Sequence, residues 1–309
     1  MPPIRVGIVG LGKIALEEHI PALMENDAFT LAAAVSVRAS LPHIPVFTTV
    51  EAMLDAVPDI DAVAICTPPQ AHYAPAKLAL ERGKHVLMEK PPCPTLAEFD
   101  ALSAVAQAKG LTLFQTWHAR EAPAVAAAAE WLSARKVTGG RVVWKEDVRH
   151  WHPGQNWIWK EGGFGVLDAG INAISILTAI MPEPIFVEAA HLFVPDNSAN
   201  PIAAAMVFRT ASGAAIEAEF DFRHHGIQSR LVEIETEKGT LDLVRFSAER
   251  GMSQIWSEVG SQSQEYAVLY RRFATLIAEG RCDIDKRPLE LVIEALCVAG
   301  RTSVAPFEE

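Results

Sequence analysis

The stretch that decides the fold is Ile4-Arg5-Val6-Gly7-Ile8-Val9-Gly10-Leu11-Gly12-Lys13-Ile14-Ala15. Its first half is mostly β-branched and apolar, as in a strand that is buried on both faces. The second half matches the dinucleotide-binding fingerprint G-x-G-x-x-G/A, with Ala15 in the third glycine position, and opens a helix. In this motif the first glycine permits a tight turn, the second lets the backbone approach a pyrophosphate, and the helix N-terminus attracts the phosphates. The stretch therefore predicts a nucleotide site, with a purely structural turn as the alternative; its residues are Gly10, Gly12, Lys13 and Ile14.

Strand-like and helix-like segments alternate up to residue 118. The helix-like segments are rich in Ala, Leu and Glu, and they end at Gly83 or Gly110, which are typical stop signals. Such alternation predicts a doubly wound α/β domain with a parallel sheet. We therefore assign residues 1–118 to a dinucleotide-binding (Rossmann) domain. Its further strands are expected at Leu31–Val37, Ile60–Cys66, His85–Met88 and Leu111–Phe114, and its helices at Ala71–Arg82 and Thr95–Lys109.

The pattern changes after residue 120, where β-like runs begin to follow one another. Turns at Ser212-Gly213 and Lys238-Gly239 separate some of these runs and predict hairpins. We assign residues 119–309 to an α+β domain on an open, mainly antiparallel sheet, reached by a short crossing at Thr116–Arg120. The expected strands are Gly140–Val148, Phe186–Val194, Ala203–Arg209, Ala214–Phe222, Arg230–Glu235 and Thr240–Phe246. The expected helices are Ala122–Ala134, Leu167–Ile180, Tyr266–Glu279 and Leu289–Arg301.

The composition excludes several classes of protein. At 309 residues, with 50% hydrophobic and 21% charged residues, the chain is globular and long enough for two domains. Its formal net charge of -11 disfavours nucleic acid and anionic membranes as partners. Its four cysteines show no CxxC spacing, and it has neither a secretory leader nor an apolar run long enough to span a membrane. We therefore expect a reduced, cytoplasmic protein that binds neither nucleic acid nor a membrane.

The residues after the second strand bear on cofactor choice. An NAD site normally has Asp or Glu there to accept the ribose hydroxyls, whereas this chain has Ser36 and Arg38. A hydroxyl and a cation suit the 2′-phosphate of NADP, and no carboxylate repels it. We expect NADP as the preferred cofactor and NAD as an accepted one. The alternative is that Arg38 is an ordinary solvated residue.

An acid-base pair follows the strand His85–Met88, at the end of the sheet where ligands of such folds collect. It is Glu89-Lys90, followed by Pro91-Pro92, and the preceding strand is followed by Thr67-Pro68-Pro69-Gln70-Ala71-His72. With the glycine loop, these motifs make the chain resemble the Gfo/Idh/MocA oxidoreductases over its whole length. The resemblance implies a bound nicotinamide cofactor, a Lys90 that reaches the oxygen of the reacting carbon, and a cis Lys90–Pro91 peptide. It also implies cofactor contacts from Thr67, Pro68, His72, Glu89 and Lys90.

The second domain carries part of another motif of this family, Asp-x-Gly-x-His. The chain has Asp168-Ala169-Gly170-Ile171-Asn172, so the acid is present and asparagine stands in the place of histidine. A spacing of four puts Asp168 and Asn172 on one helix face, where both can hydrogen-bond one small ligand. The alternatives are that Asp168 is only a helix N-cap and that both are polar residues of a helical core.

The segment 144–159 is the densest polar and aromatic stretch of the chain and contains four tryptophans, at positions 144, 151, 157 and 159. Aromatic faces cover the apolar faces of a sugar, while carboxylate, imidazole and amide groups bind its hydroxyls. The segment therefore predicts a carbohydrate pocket. Together with Trp117-His118, it resembles aldose 1-dehydrogenases of the family that oxidise L-arabinose and D-galactose. This resemblance implies that the sugar is bound by His118, Glu146, Trp151 and His152.

Two other chemistries would use some of the same residue types. His150 and His152 would alternate on a strand and could ligate zinc with Glu146 or Asp168. No cysteine or further histidine cluster completes such a site in the sequence, so we expect no metal. The chain also lacks the GxSxG nucleophile elbow of many serine hydrolases.

The predicted reaction is hydride transfer from the anomeric carbon of a pyranose to the cofactor, which gives the 1,5-lactone. We assign Lys90 to stabilising the anomeric oxygen, Asp168 to accepting its proton and Asn172 to orienting the sugar. Lys90 and Asp168 could exchange these roles. A dehydrogenase for an inositol or another polyol, and a non-catalytic sensor that binds NADP, are the alternatives. The exposed face of the second sheet would also allow a homodimer.

Overall fold

The structure, a computed structural model, describes residues 2–246 and 262–308. The chain divides into two compact units. Unit 1 comprises the described residues 2–118 and 262–286, and unit 2 comprises 119–246 and 287–308.

Both units contain helices. In chain order they are α1 (Ile20–Met24), α2 (Val50–Ala56), α3 (Tyr73–Glu81), α4 (Leu96–Lys109), α5 (Pro123–Leu132), α6 (Val148–Trp151), α7 (Leu167–Ile180), α8 (Gln262–Glu279) and α9 (Arg287–Val298). A π-helical segment, Ala15–His19, leads directly into α1, and short 3₁₀ turns lie at Pro69–Ala71, His118–Glu121 and Asn156–Trp159. Within residues 2–246 and 262–308, no helix is both long and apolar enough to cross a membrane.

The sheet of unit 1 has six strands: β1 (Ile4–Val9), β2 (Phe29–Val35), β3 (Val46–Phe47), β4 (Ala62–Ile65), β5 (His85–Met88) and β6 (Leu113–Gln115). Their order is β3-β2-β1-β4-β5-β6, and every neighbouring pair is parallel. The order reverses between β1 and β4, which is the switch point where open α/β sheets bind ligands. All six strands end at the same side of the sheet, which we call the carboxyl edge.

The core of unit 1 includes a helix that is remote in sequence. One core cluster contains Leu80 of α3 and Phe99 of α4, and a second contains Tyr266, Tyr270 and Phe273 of α8. The expected domain 119–309 therefore differs from the structure in the segment that carries α8. The apolar face of α8 packs with residues of β1 and β2 rather than within the second unit.

The sheet of unit 2 has seven strands: β7 (Val137–Lys145), β8 (Ile185–Pro195), β9 (Ala203–Thr210), β10 (Ala215–Asp221), β11 (Ser229–Thr236), β12 (Gly239–Phe246) and β13 (Gly300–Val304). Their order is β12-β11-β7-β10-β9-β8-β13. β10 is parallel to β7 and β13 is parallel to β8, whereas the other neighbouring pairs are antiparallel. The predicted Rossmann sheet with a second, mainly antiparallel sheet is thus confirmed. The expected hairpins join β9 to β10 and β11 to β12, with Gly213 at φ +98° and Gly239 at φ +130°.

Some local predictions are wrong. The expected helix Leu289–Arg301 ends at Val298, and the residues after it form β13 beside β8. The expected strand Gly140–Val148 ends at Lys145, because Asp147 caps α6 by accepting a hydrogen bond from a backbone N–H. β3 and α2 are unexpected elements.

The zinc alternative assumes that His150 and His152 alternate along a strand. His150 lies in α6, and His152 follows that helix, so the two side chains do not alternate along a strand. Among the described residues, no group of three His, Cys, Asp or Glu side chains could hold a metal ion.

Candidate active site

The carboxyl edge of unit 1 collects predicted site residues from five strands. Because all the strands are parallel, the residues that follow them emerge on the same side of the sheet. These residues are Gly10 after β1, Ser36 after β2, Thr67 after β4, Glu89 and Lys90 after β5, and His118 after β6.

The two glycines of the loop differ in the space around them. The first is packed against the protein, whereas the second faces open space. Gly10 has φ +94°, and a Cβ on it would lie 2.9 Å from the backbone nitrogen of Thr67. A Cβ on Gly12 would meet nothing within 4 Å. Beside them, Lys13 is exposed and Ile14 is half-buried. The loop thus has the space that a pyrophosphate needs, at the start of a helical segment.

Ser36 and Arg38 lie at the carboxyl end of β2. Ser36 Oγ accepts hydrogen bonds from the backbone N–H groups of Arg38 (3.2 Å) and Ala39 (2.9 Å). The hydroxyl hydrogen is not used in these bonds, so it can donate to a ligand oxygen. The guanidinium of Arg38 is on an exposed residue. A hydroxyl donor and an exposed cation fit the 2′-phosphate of NADP.

The buried side chain of His72 ties together the loops that follow β4 and β5. Its Nδ1 lies 2.9 Å from the carbonyl oxygen of Pro92, and its Nε2 contacts the carbonyl oxygen of Thr67. His72 has no exposed surface, so the structure gives it a role inside the protein. It fixes the position of the loop that carries Lys90. The Lys90–Pro91 peptide in this loop is cis, as the resemblance implies.

Glu89 directs its carboxylate into unit 1 and is only 4% exposed. Its Oε1 accepts hydrogen bonds from His19 Nε2 (3.1 Å), Tyr266 OH (2.7 Å) and Thr116 Oγ1 (3.1 Å). Its Oε2 accepts one from the backbone N–H of Lys90 (3.0 Å). Both oxygens of Glu89 thus accept hydrogen bonds from the protein, which gives this carboxylate an internal role, and its expected cofactor contact stays a prediction. The carboxylate holds the backbone of Lys90 to the first helical segment and to α8.

Glu89 and His19 form a buried ion pair. Burial alone would raise the pKa of Glu89, but the hydrogen bond and the charge of His19 lower it to about 2. Burial alone would lower the pKa of His19, but its contacts with Cys66, Tyr270 and Glu89 raise it well above its usual value. The charged form of each partner is thus favoured by the other near neutral pH. The second ring nitrogen of His19, Nδ1, lies 2.8 Å from Tyr270 OH.

His118 is held by Glu265, a residue that no sequence motif indicates. His118 Nδ1 lies 2.8 Å from Glu265 Oε2, and the two residues are 7% and 1% exposed. The imidazole also stacks on Tyr266, with ring centroids 5.4 Å apart. An ionised carboxylate only accepts hydrogen bonds, so Nδ1 carries the hydrogen and Nε2 of a neutral ring is left as an acceptor. This tautomer suits the predicted role of His118 in binding a sugar hydroxyl.

In unit 2 the structure brings three predicted sugar-binding residues together around an arginine. Glu146, 2% exposed, follows β7 directly. Its Oε2 accepts hydrogen bonds from Trp144 Nε1 (2.9 Å) and Arg230 Nη2 (2.8 Å), and its Oε1 lies 3.8 Å from His152 Nε2. The Arg230 guanidinium also lies 4.6 Å from the ring centroid of Trp144 and 5.0 Å from that of Trp151. We call these five residues the Glu146 cluster.

α7 carries Asp168 and Asn172 on successive turns, and its bounds agree with the expected helix. The N-cap is Val166 and no side chain caps this end, so the alternative that Asp168 is an N-cap is wrong. Asp168 is 1% exposed and Asn172 is 9% exposed. Gly170, between them, packs against Phe220 of β10, where a Cβ would lie 3.0 Å from the ring. At helical spacing, Asp168 and Asn172 therefore share the side of α7 that faces away from Phe220.

Comparison with known proteins identifies relatives of the chain. The model of the Gfo/Idh/MocA oxidoreductase family, NAD-binding Rossmann fold, matches residues 4–116. The chain is 42% identical to a galactose 1-dehydrogenase from Pseudomonas fluorescens over 307 residues, which cover 99% of each chain. It is similar to the crystal structure of a D-galactose-1-dehydrogenase from Rhizobium etli, with a TM-score of 0.91 and 45% identity, covering 100% of this chain and 99% of the other. GenD2 from gentamicin A biosynthesis, in complex with NAD, shares the fold, with a TM-score of 0.81 and 20% identity over 97% and 93% of the two chains.

Alanine substitutions in the glycine loop should separate folding from cofactor binding. Gly10→Ala should lower the free energy of unfolding by about 1–3 kcal/mol, because alanine is strained at this positive φ and its Cβ would meet Thr67. Gly12→Ala should change that free energy by less than about 0.5 kcal/mol. It should weaken NADP binding about tenfold, because a methyl group in the open space would disturb charge-assisted hydrogen bonds to the phosphates. Urea unfolding and a fluorescence titration with NADP measure the two effects, and equal destabilisation by both substitutions would contradict the separate roles of the two glycines.

The Glu89–His19 pair should make stability depend on pH from both sides. The folded pKa of Glu89 is lowered to about 2, so its contribution is present above its ordinary value of 4.5 and is lost as the pH falls towards 2. The folded pKa of His19 is raised, so its contribution is complete below the ordinary value of 6.5 and is lost as the pH rises above it. Glu89→Gln should therefore lower the free energy of unfolding most between these two ordinary values, by on the order of 3 kcal/mol.

Urea unfolding at about pH 3, 5.5 and 8 measures this dependence. Glu81→Gln is the matched control, because it removes a carboxylate from an exposed ion pair with Lys77. The control should cost less than about 0.5 kcal/mol at each pH. A Glu89→Gln effect of the same size at all three pH values would rule out the ion pair as its cause.

Proposed function

The chain belongs to the Gfo/Idh/MocA oxidoreductase family, and we propose that it is an aldose 1-dehydrogenase that acts on D-galactose and L-arabinose with NADP or NAD. The observation that carries the proposal is the Glu146 cluster, in which a buried carboxylate, an imidazole and two indole rings converge. Polar groups beside aromatic faces match the polar edge and apolar face of a pyranose. The two relatives that match this chain over nearly the whole of both chains have names that specify galactose, and they support the same substrate.

The proposed reaction oxidises the anomeric carbon of the pyranose to the 1,5-lactone. That carbon loses a hydride and its hydroxyl group loses a proton, so the C–O single bond becomes a carbonyl. When bound, the nicotinamide accepts the hydride. The protein has to hold the sugar, take up the proton and stabilise the negative charge that develops on the oxygen.

We assign Lys90 to the anomeric oxygen. Its backbone N–H is held by the buried carboxylate of Glu89, and the residue is half-buried at the carboxyl edge. A cation in a fixed loop can stabilise developing negative charge with little reorganisation. From α7, Asp168 accepts the hydroxyl proton and Asn172 orients the sugar. An exchange of roles between Lys90 and Asp168 is the alternative form of this assignment.

The remaining hydroxyls are assigned to three residues and the sugar ring to one. Glu146 and His152 bind hydroxyls through the cluster described above, and Trp151 covers a face of the ring. His118, held by Glu265, accepts a hydrogen bond from a hydroxyl at Nε2. For the cofactor, the loop at Gly12 takes the pyrophosphate, and Ser36 with Arg38 favours the 2′-phosphate of NADP over NAD.

A panel of sugars tests the proposed substrate. D-Galactose and L-arabinose share the configuration of the hydroxyls at C2 to C4 in their pyranose forms, whereas D-glucose is the C4 epimer of galactose. A site that pairs the C4 hydroxyl of galactose leaves polar groups unpaired with glucose, at a cost of about 1–3 kcal/mol, or roughly 5–150-fold in kcat/KM. We expect galactose and arabinose to be oxidised with similar efficiency and glucose with much lower efficiency, measured as initial rates of NADPH formation.

Other outcomes of the sugar panel identify the alternatives. Equal kcat/KM for glucose would contradict recognition of the C4 hydroxyl. Oxidation of inositols alone would replace the aldose with a polyol substrate. Binding of NADP without oxidation of any sugar or polyol would favour a sensor.

Lys90→Met tests the assignment of the cation. Turnover of galactose should fall by roughly 100-fold or more, the scale of losing one charge-stabilising group, while the Kd for NADP and the melting temperature stay nearly unchanged. Lys77→Met is the control, since Lys77 lies on the surface in an ion pair with Glu81. Near-normal kcat in Lys90→Met would exclude Lys90 from the reaction.

Ser36→Asp tests the cofactor assignment. The introduced carboxylate should repel the 2′-phosphate and accept the ribose hydroxyls, which reverses the preference from NADP to NAD. The ratio of kcat/KM for the two cofactors, at saturating galactose, measures this change. An unchanged ratio would mean that the 2′ position of the ribose is bound elsewhere.

A further inference from the structure

We infer that Arg230 is a specificity-determining residue of sugar recognition. It fixes the orientation of the Glu146 carboxylate and donates its own Nε–H to a hydroxyl oxygen of the sugar. The inference rests on the aldose 1-dehydrogenase activity proposed above and concerns a residue that neither the sequence motifs nor the comparisons indicate.

The strand register of unit 2 explains how an arginine reaches this cluster. β11 is antiparallel to β7, and Arg230 lies directly opposite Trp144. On its other side, β7 is paired with β10, and Trp144 lies opposite Phe220. Directly paired residues project from the same face of a sheet, so these three side chains form one row across three strands. Because Phe220 packs against Gly170, this is the face that α7 covers.

Arg230 and Trp144 together fix one oxygen of Glu146. Arg230 Nη2 and Trp144 Nε1 donate to the same atom, Oε2, at 2.8 and 2.9 Å. Two donors from different strands prevent the carboxylate from rotating and leave Oε1 facing the side of His152, whose Nε2 is 3.8 Å away. A sugar hydroxyl that donates to Oε1 thus meets an acceptor whose direction is set by the protein. Such fixed acceptors distinguish one hydroxyl configuration from another.

The described part of the protein leaves one donor of the Arg230 guanidinium, its Nε–H, without a hydrogen-bond partner. Arg230 is 9% exposed, and its buried Nε has no hydrogen-bond partner among the described residues. The indole rings of Trp144 and Trp151 lie against the guanidinium, with centroids 4.6 and 5.0 Å from its carbon. A buried N–H without a partner is costly and rare in folded proteins, so it points to an acceptor that a ligand supplies. Two neighbouring sugar hydroxyls provide both complements, since the hydrogen of one can bind Glu146 while the oxygen of the other accepts from Nε.

A purely structural role for Arg230 makes a different prediction. Arg230 would then only neutralise the buried carboxylate of Glu146, and its loss would lower stability and impair all sugars alike. Recognition of particular hydroxyls instead predicts losses that depend on which hydroxyl the sugar carries. Galactose derivatives that each lack one hydroxyl separate the two roles.

The test compares the full-length wild type with Arg230→Lys. Lysine keeps the positive charge near Glu146 but lacks the planar fork and the Nε–H. The measured quantities are kcat/KM for galactose and for its 2-, 3-, 4- and 6-deoxy derivatives, the Kd for NADP and the melting temperature. Arg141→Lys is the matched control, because Arg141 lies on the neighbouring strand β7, is half-buried, and pairs with Glu233, which is not part of the Glu146 cluster.

We expect Arg230→Lys to lower kcat/KM for galactose about 10- to 100-fold, mainly through KM, with the Kd for NADP unchanged. For each of the two deoxygalactoses that lack one of these neighbouring hydroxyls, Arg230→Lys should lower kcat/KM by a smaller factor than it does for galactose. The preference for galactose over these two derivatives should therefore fall, while the preferences at the other positions persist. Arg141→Lys should behave as the wild type throughout.

Three results would overturn the inference. The first is an unchanged kcat/KM for galactose in Arg230→Lys, and the second is a loss by the same factor on galactose and on every deoxy derivative. The third is a wild type that oxidises no aldose, which overturns the proposed function as well and so is distinguishable from the first two. If Arg230→Lys does not fold, Trp144→Phe removes the other donor to Glu146 Oε2 and leaves Arg230 in place, so its deoxygalactose ratios test the fixed orientation of Glu146. Unchanged ratios in Trp144→Phe would then overturn that part of the inference.

Discussion

The buried carboxylate of Glu89 is the constraint on which the arrangement of unit 1 depends. A carboxylate taken out of water is tolerated only when donors surround it. Its donors come from three segments that are far apart in sequence: His19 from the first helical segment, Thr116 from the stretch after β6, and Tyr266 from α8. Because all of them meet at one charge, the assembly of these segments and the placement of Lys90 are parts of one network.

Unit 2 also contains a buried carboxylate, that of Glu146, and it differs from Glu89 in the hydrogen bonds that it accepts. Glu89 and Glu146 each follow a strand directly and are 4% and 2% exposed. The protein occupies both oxygens of Glu89, whereas among the described residues the donors within normal hydrogen-bond distance of Glu146 both bind Oε2. A carboxylate such as Glu89, whose two oxygens both accept hydrogen bonds from the protein, thus organises the fold. A carboxylate such as Glu146, whose donors bind one oxygen, can recognise a ligand with the other.

Much of the fold could be predicted because it depends on local patterns. The bounds of β5 and α7 agree with prediction, since each is a short run of strong periodicity with clear boundaries. α8 was predictable as a helix but not as part of unit 1, because an amphipathic pattern shows that a face is buried and not which sheet covers it. Gly300–Val304 is not predicted as a strand because its polar sequence resembles a frayed helix end more than a buried strand.

The residues at the carboxyl edge could be predicted from motifs, but Glu265 and Arg230 could not, since their partners His118 and Trp144 lie on other segments. A partial signal for Arg230 existed, because a carboxylate within a β-rich, aromatic segment needs a cationic partner if it is buried.

The fate of deuterium on the anomeric carbon is the most direct measurement of the proposed reaction. The enzyme is incubated with NADP and D-galactose deuterated at C1, and the reduced cofactor is analysed by proton NMR. Oxidation at the anomeric carbon predicts that the deuterium is found at C4 of the nicotinamide, and that galactose deuterated at C3 gives NADPH without deuterium. Transfer of deuterium from C3, or unlabelled NADPH from the C1-deuterated sugar, would contradict an aldose 1-dehydrogenase.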